Sequence, residues 1–138
     1  MIGLLLNPFD RTVKTVVVKG DSLKEKHDLL SCSVFSGVGF SYKSPFDAGK
    51  EEMPGTIFID DEGLFKSPLA FFYIPELYPM PLCGKALFMG VDMNTGDSID
   101  CPPDLIVDIV NRDLEPRYLD RLDVIELERQ ILNGKHIS

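Results

Sequence analysis

The sequence predicts an α+β fold: a small, mostly antiparallel or mixed sheet, one short helix early, and two helices at the C-terminus. Three observations carry that expectation. Apolar and β-branched runs recur at residues 3–6, 12–18, 33–40, 56–59 and 86–92, each of strand length and bounded by turn residues. After Cys101-Pro102-Pro103 the apolar residues return every three or four positions, which is the period of a helix. Strands come first and helices last, without the alternation that a parallel α/β sheet requires. At 138 residues, 44% hydrophobic and 26% charged, the chain has the size and composition of one globular domain. The expected division is an α+β core over 1–115 and a terminal helix over 117–134.

Taken in order, residues 3–6 and 12–18 are expected to pair through Asn7-Pro8-Phe9-Asp10-Arg11. Asn, Pro and Asp supply turn chemistry there, and Val13, Val16, Val17 and Val18 suit a pleated surface. Ser22-Leu23-Lys24-Glu25 reads as a capping box opening a helix over 22–30 that turns Leu23, Leu29 and Leu30 inward. The strand over 33–40 is loosened by Gly37 and Gly39. The polar stretch 44–54, with two prolines, is expected as an exposed loop. Asp60-Asp61-Glu62-Gly63 forms a turn before a return strand at Leu64-Phe65.

The segment 68–84 holds prolines 68, 75, 79 and 81. Each removes an amide donor, so an ordered but irregular path is expected, with Phe71, Phe72 and Leu77 in the core. Residues 86–92 form a strand, 93–97 a hairpin loop and 98–100 a short return. Leu105, Ile106, Ile109 and Val110 mark the buried face of the first C-terminal helix, whose prolines cost little at its start. Pro116 separates it from the second helix, in which Leu119, Leu122, Val124, Ile125, Ile131 and Leu132 recur. Asn133-Gly134 is its expected stop.

Charge is unevenly placed in a chain of net −8. Residues 1–50 hold seven Lys/Arg and five Asp/Glu, whereas 51–138 hold seven and seventeen. That balance argues against nucleic-acid binding, which needs clustered cations to neutralise phosphates. Cys32, Cys83 and Cys101 are widely spaced and odd in number, a pattern that suits neither a disulfide framework nor a zinc site. The apolar run at the N-terminus has no basic flank and stops at Asn7-Pro8. Neither a signal peptide nor a membrane span is expected, and the predicted compartment is the cytoplasm.

Candidate chemistry is sparse. No Gly-x-Ser-x-Gly elbow and no phosphate-binding glycine loop occurs. Asp60-Asp61-Glu62 alternates across a strand end and converges poorly on one ion, so a solvated turn is expected. Asp92, Asn94, Asp97 and Asp100 fail the calcium-loop spacing, since Gly96 falls at the fifth position and Pro103 at the twelfth. An enzyme would need to unite His27 with Cys83 or with the Asp60 turn. His136, the other histidine, lies near the end. The expectation is a protein without catalytic residues, metal or cofactor.

The elements Leu5-Leu6-Asn7-Pro8-Phe9, Ile59-Asp60-Asp61-Glu62-Gly63-Leu64, Pro79-Met80-Pro81-Leu82-Cys83-Gly84-Lys85-Ala86-Leu87 and Met89-Gly90-Val91-Asp92 resemble an uncharacterised family of small phage and mobile-element proteins. The resemblance spans residues 3 to 110 and rests on turns and strand patterns. It implies a virus-encoded accessory factor and assigns no residue a role.

Two surfaces remain as candidates. Between Asp92 and Glu128 stand eleven Asp/Glu against three Lys/Arg. Asp104, Asp108, Asp113, Glu115, Asp120, Asp123, Glu126 and Glu128 are the expected acidic face, matched to a host protein with a basic surface. Leu119, Leu122, Ile125 and Ile131 would dock on the domain or join a homodimer through the terminal helix. The other candidate is a ledge of Tyr73, Tyr78, Met80 and Lys85 for a ligand or partner, since tyrosine offers large area for few rotatable bonds. As a small-molecule site, it would be a pocket formed by Phe71, Tyr73, Tyr78 and the strands of Ile57 and Leu87, taking a nucleotide signal, for which only Lys66, Lys85 and the N-terminal lysines supply positive charge.

Overall fold

The computed structural model describes residues 1–19, 23–32, 34–46, 49, 51–63 and 69–137, the side chains of Leu23 and of residues 133–137 excepted. Strand β7 (Ala86–Val91) lies at its centre. Ala86, Leu87, Phe88 and Met89 are all 0% exposed, so this strand needs cover on both faces. β1 (Ile2–Asn7) pairs along one edge and β4 (Met53–Asp60) along the other, both antiparallel, with Leu5 and Phe58 flanking Leu87. Beyond them β2 (Thr12–Val17) pairs with β1, and β3 (Phe35–Tyr42) with β4. The order is β2-β1-β7-β4-β3, and β8 (Ser98–Ile99) adds to the end of β7.

Alternation of side chains along these strands divides the core. Leu4, Leu6, Ile57, Ala86 and Phe88 enter the larger cluster, which also takes Leu105 and Ile109 of α2 (Pro103–Val110). Leu5, Leu87 and Met89 face the other way and meet Leu30 of α1 (Leu23–Leu30). A second antiparallel sheet, β6 (Leu82–Cys83), β5 (Phe71–Tyr73) and β9 (Arg117–Leu119), covers the larger cluster beside α2. Phe72 projects inward, edge-on to Phe88 with ring centroids 6.2 Å apart. Phe71 projects outward to Cys83 and to Val124 of α3 (Arg121–Ile137). From one side to the other the layers are α1, the main sheet, α2 with the small sheet, and α3.

Close approach excludes a side chain at Gly55. The Phe40 ring covers Gly55, its cross-strand neighbour, and a Cβ at Gly55 would stand 2.6 Å from the Met89 carbonyl oxygen.

The expected α+β class, the sheet of mostly antiparallel strands, the early helix and the two late helices are all present. Several details differ. The proline-punctuated segment contains β5 and β6, because Phe71-Phe72-Tyr73 falls in its longest interval without a proline, 69–74, and finds β6 and β9 as partners. Met53 and Pro54, expected in a loop, open β4. Pro54 sits opposite Ser41. Residues 117–119, expected in the last helix, form β9, and that helix runs from Arg121 through Asn133-Gly134 to Ile137. Val110 is exposed, and Asp108 takes an inward position on α2 in its place. The capping serine Ser22, the return strand at Leu64-Phe65, and Lys66 lie outside the described residues.

Candidate functional site

The expected acidic face is reduced by one residue that the fold turns inward. Asp108 is buried, and its Oδ2 accepts a hydrogen bond from the Tyr42 hydroxyl at 2.6 Å. Tyr42, itself 3% exposed, has its phenol pushed well above the usual tyrosine range by burial first and by the Asp108 carboxylate second. The pair ties the end of β3 to α2 and is structural. Asp104 is half-buried on the same helix.

Asp113, Glu115, Asp120, Asp123, Glu126 and Glu128 are exposed. Two of them also build the start of α3. Asp120 Oδ1 accepts from the Asp123 amide at 2.8 Å, and Asp123 Oδ2 accepts from the Asp120 amide at 3.2 Å. This reciprocal pair is a capping box made with aspartates. Arginines interrupt the surface: Arg117 lies over the Tyr73 ring at 5.9 Å, and Arg129 stands 3.7 Å from Glu126 in an exposed pair, an arrangement that contributes little stability.

Docking of α3 uses one stripe. Val124 is buried against Phe71 and Cys83, and Leu127 and Ile131, on the same face, are half-buried. Leu122, Ile125 and Leu132 are 76%, 46% and 57% exposed. Steps of three and four place Leu122, Ile125, Arg129 and Leu132 on one outer face. The expected docking set of Leu119, Leu122, Ile125 and Ile131 is therefore split. Leu119 belongs to β9, and Leu122 and Ile125 point outward.

The residues of the expected tyrosine ledge come from different elements. Tyr73 is in β5, opposite Arg117. Tyr78, half-buried, closes a turn by donating its amide to the Ile74 carbonyl at 3.0 Å. Met80 is also half-buried, and Lys85 Nζ donates to Ser31 Oγ at 2.9 Å beyond the end of α1. The strands of Ile57 and Leu87, β4 and β7, are neighbours in the main sheet, and the two side chains face opposite ways: Ile57 belongs to the larger cluster and Leu87 to the one beneath α1. Phe71 is buried beneath α3.

The other candidate groups have structural surroundings. Asp60 is buried and its Oδ1 accepts the Glu62 amide at 3.0 Å, as a turn residue does. In the loop after β7, Asp92 Oδ1 accepts the Asn94 amide at 2.9 Å, and Gly96 has φ +79. Among the described residues no group of three or more His, Cys, Asp or Glu side chains is placed to hold a metal ion. His27 Nδ1 lies 3.2 Å from the Cys32 carbonyl, and its ring meets Phe35 edge-on in the α1 layer. Cys83 belongs to the cluster under α3, and burial pushes its thiol upward, away from the reactive thiolate. Burial raises the Cys101 thiol to about 12.

A feature the sequence reading missed lies between the first hairpin and the end of α2. Arg11, Val13, Ile109, Arg112, Leu114 and Tyr118 are among the residues lining a cavity of about 480 Å³, with Glu115 also on its wall. Arg11 has φ 57 and Arg112 has φ 61, a left-handed conformation uncommon outside glycine and asparagine. Arg112 follows the C-cap Asn111, and the amides of Asp113 and Leu114 donate back to the Asp108 carbonyl at 2.9 and 3.0 Å. That is the place in a helix ending where glycine is usual. Among the described residues neither arginine forms an ion pair.

No described helix is long and apolar enough to cross a membrane. The chain matches no family model, no curated protein and no solved structure.

Proposed function

We propose that the chain is a non-enzymatic binding protein that engages a basic protein surface through the outer face of α3 and the acids preceding it. The carrying observation is the second apolar stripe of α3, where Leu122, Ile125 and Leu132 are exposed beside Asp123, Glu126 and Glu128. A helix with one docked stripe and another in solvent has the form of a ligand for an apolar groove. Its flanking carboxylates favour a groove rimmed by lysine and arginine, through complementary potential. In line with the resemblance to phage and mobile-element proteins, the chain would work in the host cytoplasm as an accessory factor. Filling such a groove would inhibit or redirect the host protein that owns it. A second copy of the chain is the competing occupant, but a homodimer through α3 would bring together two faces with the same charges.

Site-specific photo-cross-linking tests the reading. A cross-linker at Leu122, with a control at Lys14 on β2, is activated in host lysate. One basic host protein should be captured from position 122 and not from 14. The purified partner should bind wild type and lose binding in Leu122→Asp/Ile125→Asp. Binding should weaken as salt rises from about 50 to about 500 mM, where screening shortens to a few ångströms. Cross-links only to a second copy, or equal capture from both positions, would refute it.

A further inference from the structure

We infer that the cavity between Arg11 and Arg112 is a binding site for a small organic anion, one with a phosphate or carboxylate head and an apolar or aromatic body. Its volume of about 480 Å³ falls within the usual range for small-molecule sites. The two charges come from separate elements, Arg11 from the β1–β2 turn and Arg112 from the residues after α2, while Val13, Ile109, Leu114 and Tyr118 supply apolar wall. Arginine suits such a head because its planar donors can grip two oxygens at once. Glu115 is the one carboxylate among the lining residues, so the arginines outnumber it two to one.

Backbone conformation is a second, independent observation. Three described residues other than glycine have positive φ, and two of them are these arginines. Each sits where glycine or asparagine would fit at lower conformational cost. Strain of this kind, held twice at one cavity, is what a ligand requirement would maintain against stability. Electrostatics agree: burial raises the Tyr118 hydroxyl, and the Arg11 charge opposes that rise, so the guanidinium is felt at the cavity wall. The site is independent of α3, and either proposal can fail without the other.

The test uses the full chain, phenyl phosphate and benzoate as alternative heads on one body, inorganic phosphate as head alone, and benzyl alcohol as a neutral body. Binding is followed by backbone and arginine side-chain NMR shifts. At least one aromatic anion should shift Arg11, Arg112 and Tyr118 saturably, and more tightly than inorganic phosphate, while benzyl alcohol should not. The preferred head distinguishes a phosphate from a carboxylate ligand. Arg11→Asn and Arg112→Asn should each weaken binding about tenfold or more, the scale of one lost charge-assisted contact. Because asparagine tolerates the left-handed region, both variants should melt at or above the wild-type temperature, which separates a binding loss from unfolding. Glu115→Gln should tighten binding. Absence of saturable shifts with both aromatic anions, or shifts that persist in the double asparagine variant, would overturn the inference.

Discussion

Replacing Tyr42 by phenylalanine removes one hydroxyl and leaves the Asp108 carboxylate buried without that donor. The 2.6 Å bond joins groups 3% and 6% exposed, so water cannot readily substitute. A hydrogen bond to a charged group contributes about 1.5–3 kcal/mol. Unfolding entropy of about 2.1 cal/mol/K per residue gives about 0.29 kcal/mol/K for 138 residues. A loss of about 2 kcal/mol thus lowers the melting temperature by about 7 °C, measured by circular dichroism and checked by urea unfolding. Asp108→Asn keeps an acceptor and sheds the buried charge, so its loss should be smaller. The double variant should then show coupling between the two sites. A pH series adds a signed test. The folded protein keeps the Tyr42 proton above the unfolded value of about 10, so above that pH it binds more protons than the unfolded chain. Stability must then fall as pH rises, by up to about 1.4 kcal/mol per unit. Below pH about 10 this contribution is fully present and flat, and Tyr42→Phe should make the alkaline slope shallower than wild type by this one contribution. A phenylalanine variant within about 0.5 kcal/mol of wild type, with an unchanged alkaline slope, would refute the reasoning.

Other outcomes follow from the same structure. Cys101, whose folded thiol is raised to about 12 from 9.0, should add a second alkaline loss of stability between those values, absent from Cys101→Ala in difference curves. In the native state Cys101 should resist iodoacetamide while the less buried Cys32 reacts, read by peptide mass analysis. Gly55→Ala should cost at least about 2 kcal/mol in chemical unfolding, because the Met89 carbonyl it meets belongs to the central strand and cannot give way. On α3, Val124→Ala should cost about 1–2 kcal/mol, whereas Leu122→Ala, at an outward position, should stay within about 0.5 kcal/mol.

The legible parts of the fold were those whose pattern is local. Thr12 to Val18 carries its β propensity in its own side chains, and Leu105 and Ile109 declare a helical face by spacing alone. Phe71-Phe72-Tyr73 was opaque because a three-residue strand carries too little periodicity, and its partner Arg117-Tyr118-Leu119 lies far along the chain. The burial of Asp108 depends on a hydroxyl 66 residues away, and no feature of α2 by itself announces it. The outward turn of Leu122 was hidden because two apolar stripes share one helix and only packing decides which is covered. For the arginine cavity a signal did exist. Arg11 closes a turn and Arg112 follows a helix end, both places where glycine or asparagine is ordinary.

Strand order has a consequence for how the chain is made. β1–β2 and β3–β4 are hairpins of neighbouring segments, complete once Asp60 has been synthesised. They do not touch as a sheet until β7 arrives and inserts between β1 and β4. A chain emerging from the ribosome therefore carries two waiting ribbons, each with an unpaired inner edge. The closing step joins residues more than 80 positions apart at Leu4 and Phe88, and distant closures of this kind are slow. During that interval the open edges of β1 and β4 are where a newborn chain is most exposed to mispairing with another.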